Sequence, residues 1–205
     1  MLTKNILLRS FSKIKAENKI KKKLQLILKE KSHLFKSMSK NYRNNYNFKN
    51  IKNFTKKNNV RLIGMGGSVL GSQAIYNFLK DKIKKKFFFI DNLNNLKDDS
   101  NNGNFTNLII SKSGNTLETI SNANIYIKKK DKNIFLTENK MNYLFVLANQ
   151  LKAEIIHHNN FIGGRYSVLS EVGMLPAELM GLKTSQFKQF NLLIKNKKFI
   201  NSLIL

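Results

Sequence analysis

With 205 residues, 41% of them hydrophobic, the chain is long enough to bury one sizeable α/β core and carry a helical extension, and short for two domains. It has no cysteine, which excludes disulfides and thiolate chemistry, and its apolar runs, such as Phe87–Ile90, are far too short to span a bilayer. The formal charge of +25 would ordinarily suggest a nucleic-acid or anionic-membrane partner, yet 33 of the 37 basic residues are Lys and only Arg9, Arg43, Arg61 and Arg165 are Arg.

Nucleic-acid readers favour Arg for bidentate contacts to bases and phosphates. Lys, Asn, Ile and Phe share A/T-rich codons, and Asn occurs 30 times against a single Pro. The excess charge is therefore read as base composition acting on solvated faces, and neither a nucleic-acid nor a membrane partner is expected. The three histidines, His33, His157 and His158, show no metal-ligand spacing, so no metal and no cofactor is implied. The first residues are basic and lack an acid before Glu17, a faint imitation of a transit peptide in a chain rich in Lys throughout. A cytoplasmic location is the expectation.

Residues 1–58 read as a Lys/Asn-rich helical extension. Leu24, Ile27, Leu28, Leu34 and Phe35 recur at roughly helical spacing and offer one face for docking on a core. The stretch Asn41–Asn59 is dense in Asn and Lys and reads as loop or linker. Apolar segments of strand length follow at Val60–Ile63, Phe87–Ile90, Asn107–Ile110 and Asn133–Leu136, with a fifth candidate at Glu154–Ile156. Between them lie segments of helix length, Ser68–Leu79, Thr116–Lys130 and Met141–Leu151. Such alternation indicates βαβ units and a parallel sheet, covering residues 59–182. A helix containing Glu171 and Glu178 is expected next, and Thr184–Leu205 reads as a C-terminal helix with Phe187, Phe190, Leu193 and Ile194 at core spacing.

Three segments carry chemistry. The first candidate strand runs into Gly64-Met65-Gly66-Gly67-Ser68, where glycines at a strand-to-helix turn let backbone N–H groups approach an anion. It is neither a dinucleotide fingerprint nor a nucleoside-triphosphate phosphate loop, and taken alone it could merely close a βα connection. The third strand ends in Ser111-Lys112-Ser113-Gly114-Asn115-Thr116, followed by Leu117-Glu118-Thr119. Hydroxyl donors, an ammonium and a helix N-terminus together suit a phosphate monoester; the alternative is Thr116 acting as an ordinary helix N-cap. The last segment, Gly163-Gly164-Arg165-Tyr166-Ser167, holds the one Arg after residue 61. Its guanidinium could stabilise an anionic intermediate, or form a structural ion pair.

These three segments, in this order over residues 60–182, resemble the glucose-6-phosphate isomerase family, whose domains have the sugar isomerase (SIS) fold. The resemblance implies a three-layer α/β/α domain and aldose–ketose isomerisation of glucose 6-phosphate and fructose 6-phosphate. It implies that Ser111, Lys112, Ser113 and Thr116 hold the substrate phosphate, that Gly67 and Ser68 contact the sugar, and that Arg165 stabilises the enediolate. Glu118 matches a position read as a helix-capping carboxylate. Family members carry two SIS domains and are about twice as long, with the base that moves the substrate proton downstream of the Gly-Gly-Arg segment. An incomplete or half-length form is therefore expected, acting as a homodimer or with a complementary C-terminal half. The other reading is a SIS module that binds a sugar phosphate without turnover.

Overall fold

Five strands pair into one all-parallel sheet in a computed structural model that describes residues 17–56, 59–93, 104–128, 131–188, 196, 199 and 200. They are β1 (Asn59–Gly64), β2 (Lys86–Ile90), β3 (Thr106–Ile110), β4 (Lys132–Thr137) and β5 (Glu154–His157), ordered β2-β1-β3-β4-β5 across the sheet. Each expected strand is present, extended by a residue or so. Every residue of β3, and every residue of β1 and β4 but the first, is buried. This is the near-continuous apolar pattern of strands covered on both faces.

The helices are α1 (Asn18–Lys29), α2 (His33–Ser37), α3 (Phe48–Ile51), α4 (Leu70–Phe78), α5 (Leu117–Tyr126), α6 (Tyr143–Gln150) and α7 (Glu171–Leu179). On one face of the sheet, Val60, Leu62, Leu108, Ile110, Ile134 and Leu136 pack with Ile51 of α3, Ile75 of α4 and Val172, Leu175 and Leu179 of α7. On the other, Ile63, Ile90, Ile109 and Phe135 pack with Ala123 and Tyr126 of α5 and with Leu144 and Ala148 of α6. The α/β/α layering expected for a SIS-type domain is thus present.

Three expectations are corrected. The stretch read as linker contains α3 and a 3-10 turn at Lys52–Lys56, because Tyr46, Ile51 and Phe54 supply the apolar anchors that a linker lacks. Helix α1 forms with the expected amphipathic periodicity but buries none of its residues, and Leu26 is 70% exposed. The helix after β1 begins at Leu70, not Ser68, since Gly66–Ser68 form a 3-10 turn first. Beyond a 3-10 turn at Thr184–Lys188, the residues Phe190, Leu193 and Ile194 of the expected C-terminal helix lie outside the described residues. The chain divides into two compact units, Arg43–Thr184 and a second drawn from both ends, up to Tyr42 and from Ser185.

A buried polar row crosses the starts of three strands. Arg61, Asn107 and Asn133 are register neighbours on β1, β3 and β4. The Arg61 guanidinium donates to Asn107 Oδ1 at 2.8 Å and to the Tyr126 carbonyl at 3.1 Å, and stacks 4.0 Å from the Phe105 ring centroid. Asn107 Nδ2 in turn donates to Asn133 Oδ1 and Asp131 Oδ2. Burial holds the guanidinium pKa below its usual range, with Asp131 opposing that shift.

Candidate functional site

Gly64 and Ile110 face each other in register at the ends of β1 and β3, so the loops that leave these strands start side by side. Here the strand order also reverses, since β1 leads outward to β2 on one side while β3 lies on the other. Ligands of open parallel sheets bind in the crevice beyond such a switch point. The two motif-bearing loops are therefore the two that flank it.

After β1, the chain turns through Gly66, whose φ is +55°, into the 3-10 turn ending at Ser68. Gly67 backs directly onto Gly164: a Cβ at position 67 would collide with the Gly164 carbonyl. Bare backbone at Gly67 thus brings the first and third motifs together. The residues around this contact, Gly67, Leu70, Gly71, Gly164, Arg165 and Val168 among them, line an open cleft of about 490 Å³.

After β3, the loop folds on its own hydroxyls. Ser111 Oγ lies 2.9 Å from Thr116 Oγ1 and accepts from the Gly114 amide at 3.2 Å. Ser113 Oγ accepts from the Asn115 amide at 3.3 Å and lies 3.5 Å from Thr116 Oγ1. Gly114, at φ +67°, is pressed against the Asn142 side chain. Thr116 occupies the N-cap position of α5, yet its side chain makes no capping bond, which sets aside the ordinary N-cap reading of this residue. The first amides of α5 are consequently left without a side-chain acceptor from Thr116, beside three clustered hydroxyls. Glu118 stands in the first turn of α5, where a carboxylate interacts favourably with the helix dipole.

Lys112 points elsewhere. Its ammonium donates to the carbonyls of Asn160 at 2.7 Å and Ile162 at 3.2 Å, and lies 3.6 Å from Glu138 Oε1. The third motif forms a 3-10 turn, Gly164–Leu169, held by Ser167 Oγ donating to the Gly164 carbonyl at 2.6 Å. The Arg165 side chain is exposed and, among the described residues, has no ion-pair partner, so the ion-pair alternative is set aside.

The roles of several supporting residues escaped the sequence reading. Asn142 caps α6 by accepting from the Phe145 amide at 2.9 Å while its Nδ2 donates to Thr137 Oγ1 at 3.1 Å. An Asn heading a helix-length segment was the available signal. Glu171 is fully buried and accepts from the Asn159 amide at 2.5 Å. Glu178 accepts from the Thr184 hydroxyl at 3.0 Å and bonds the Tyr46 hydroxyl, whose pKa is pushed far up by burial and by that carboxylate. His158 is 3% exposed, and burial holds its pKa below the ordinary histidine value. Among the described residues no group of acids and histidines is placed to hold a metal, and no helix is long and apolar enough to cross a membrane.

Comparison with known proteins follows the same lines. A family model described as phosphoglucose isomerase matches residues 13–202. The glucose-6-phosphate isomerase of Methanocaldococcus jannaschii is 36% identical over 143 residues, covering 62% of this chain and 34% of the relative. That of Borreliella afzelii is 36% identical over 148 residues, covering 62% of this chain and 28% of the relative. The chain thus spans about a third of the length of the curated relatives it matches. Among solved structures, a hypothetical protein of Thermus thermophilus superposes with a TM-score of 0.63 at 18% identity, over 89% of this chain and 49% of that one. The tagatose-6-phosphate ketose/aldose isomerase of Escherichia coli superposes with a TM-score of 0.53 at 15% identity, over 69% of this chain and 44% of that one.

Proposed function

This chain belongs to the phosphoglucose isomerase family, and from that premise we propose that it is the phosphate-binding, Arg-bearing part of an enzyme interconverting glucose 6-phosphate and fructose 6-phosphate. The observation that carries the reading is the hydroxyl cluster of Ser111, Ser113 and Thr116 at the switch point, together with the Gly67–Gly164 contact that joins the first motif to the Arg165-bearing third. In this reading the three hydroxyls and the first amides of α5 hold the phosphate oxygens, and Lys112 adds positive charge behind the loop. The Gly67–Ser68 turn meets the sugar. A base removes the proton on C2 of the open-chain aldose, the electrons form the C1–C2 enediolate, the O2 proton passes to O1, and the carbon-bound proton returns to C1 to give the ketose. Arg165 stabilises the negative oxygen of that intermediate.

The base is not assigned to this chain. Glu171 and Glu178 are committed to the Asn159 amide and the Tyr46 hydroxyl, and among the described residues no carboxylate lines the cleft beside Arg165. We propose that a second copy or a complementary C-terminal half supplies it, in the cytoplasm, with no cofactor. That same absence of a carboxylate beside Arg165 favours the second reading, a module that binds sugar phosphate without turnover. Conversion of fructose 6-phosphate in a coupled assay tests both. Turnover by the purified chain supports the enzyme acting alone. Absence of turnover with a melting temperature raised by fructose 6-phosphate supports binding, since about 100 Kd of ligand adds roughly 2.7 kcal/mol. Neither effect in a folded chain overturns the reading.

A further inference from the structure

The short turn 158–162 joins β5 to the Gly163-Gly164-Arg165 segment, and two charged side chains from different elements bond its backbone. From the loop after β3, Lys112 donates to the carbonyls of Asn160 and Ile162. From the first residue of α7, the buried Glu171 carboxylate accepts the Asn159 amide at 2.5 Å. Within the turn, the Phe161 amide donates to Asn159 Oδ1 at 3.0 Å and the Ile162 amide to the Asn159 carbonyl at 3.1 Å. The turn then has little freedom to move independently of its two anchors.

A carboxylate with no exposed surface is costly to bury unless its bonds are well made. A buried carboxylate that accepts a backbone amide makes physical sense where that amide must not move. Lys112 is informative for the same reason: an ammonium inside a hydroxyl-rich anion loop, yet aimed at carbonyls on another segment. We propose that Lys112 and Glu171 are positioning residues, which hold the 158–162 turn and through it set Arg165 in register with the Ser111–Thr116 loop. Capture of the phosphate and orientation of the guanidinium are then mechanically linked, because one residue of the loop, Lys112, is itself an anchor of the turn. This deepens the sugar-phosphate reading and rests on it for its ligand.

The test uses the whole chain in wild-type form and as Glu171→Ala, Glu171→Gln and Lys112→Met. Binding of fructose 6-phosphate and of inorganic phosphate is measured by calorimetry, and amide hydrogen exchange is followed over residues 159–166. Inorganic phosphate needs the hydroxyl loop alone; the sugar phosphate needs the loop and the Arg165 side together. Glu171→Ala should weaken fructose 6-phosphate by about tenfold, the loss of one charge-assisted bond, and leave inorganic phosphate unchanged. Glu171→Gln retains an acceptor oxygen and should restore the wild-type affinity. Exchange over 159–162 should rise by about tenfold in Glu171→Ala and in Lys112→Met, whose side chain is 30% exposed and tolerates replacement. Equal weakening of both ligands, failure of Glu171→Gln to rescue, or unchanged exchange in Lys112→Met would overturn the proposal. If the wild-type chain binds neither ligand, the sugar-phosphate reading fails, while the exchange measurement still decides whether the turn is held as argued.

Discussion

The backbone of Gly67 lies so close to the carbonyl of Gly164 that a β-carbon on Gly67 would overlap it. The obstacle is backbone and cannot rotate aside. Gly67→Ala should therefore push the two motif-bearing turns apart. We expect a loss of about 1–3 kcal/mol in stability, the usual cost of overpacking, seen as a lower melting temperature. Fructose 6-phosphate binding should fall more than inorganic phosphate binding, because the displacement separates Arg165 from the β3 loop without altering that loop. Calorimetry with the two ligands checks the difference.

Gly114 makes a sharper case. Its φ of +67° is unfavourable for a residue with a side chain, and an added Cβ would collide with Asn142. Asn142 cannot swing away, since its oxygen caps α6 and its amide bonds Thr137 and the Lys140 carbonyl. Gly114→Ala should abolish measurable phosphate binding and cost about 2–4 kcal/mol, the sum of backbone strain and overpacking. Relief is expected from the double variant Gly114→Ala with Asn142→Ala, measured by denaturant unfolding. Strict additivity of the two single losses would refute the contact.

Thr116 separates the phosphate reading from simple helix capping. An N-cap threonine stabilises through its side-chain bond, and replacing it costs about 1 kcal/mol. Here the hydroxyl makes no capping bond and faces Ser111 Oγ at 2.9 Å. Thr116→Val keeps the shape and removes the O–H. It should leave the melting temperature within a few degrees and weaken inorganic phosphate by about tenfold, as loss of one bond to a charged ligand requires. A large stability loss with intact phosphate binding is the contrary outcome.

Arg61 lies at the other end of the sheet. It is 1% exposed, and it is held by Asn107 and the Tyr126 carbonyl. Arg61→Met leaves Asn107 and Asp131 with a buried deficit and should cost about 3–5 kcal/mol, the range for removing one partner of a buried charged network. Phosphate affinity of the folded variant should not change, because the row sits at the strand starts and the candidate site beyond the strand ends. Urea unfolding with parallel calorimetry separates the two effects.

The strands were legible because burial on both faces leaves an apolar run bounded by turn residues, as in Asn107–Ile110 and Asn133–Leu136. The loops were legible because glycines and hydroxyls cluster where strands end. What could not be read is what depends on distant partners. Nothing local in Lys112 shows that its ammonium reaches 50 residues along the chain to Ile162. Nothing local marks Glu171 as buried instead of solvated on a helix start. Arg61 was recognisable as rare in a Lys-rich chain, but its partners Asn107 and Asp131 resemble the abundant surface Asn and polar residues around them. Composition hid the polar interior by making its residue types common everywhere.

His158 gives the pH dependence. Its ring is buried, and Nδ1 lies 2.8 Å from the Asn159 carbonyl, which can only accept, so the neutral ring carries its proton on Nδ1. Burial lowers its pKa from the ordinary 6.5, and the nearby Glu171 and Glu138 carboxylates oppose that shift while Lys112 reinforces it. The folded state therefore takes up this proton at a lower pH than the unfolded state does. Where the unfolded chain binds more protons, stability rises with pH, so the contribution is intact above about pH 6.5 and is lost as pH falls below it. The melting temperature should drop between pH 6.5 and 5 in the wild type, and less steeply in His158→Gln, which cannot titrate. Parallel slopes for the two proteins would show that the folded and unfolded states share one histidine pKa, and would sink the argument.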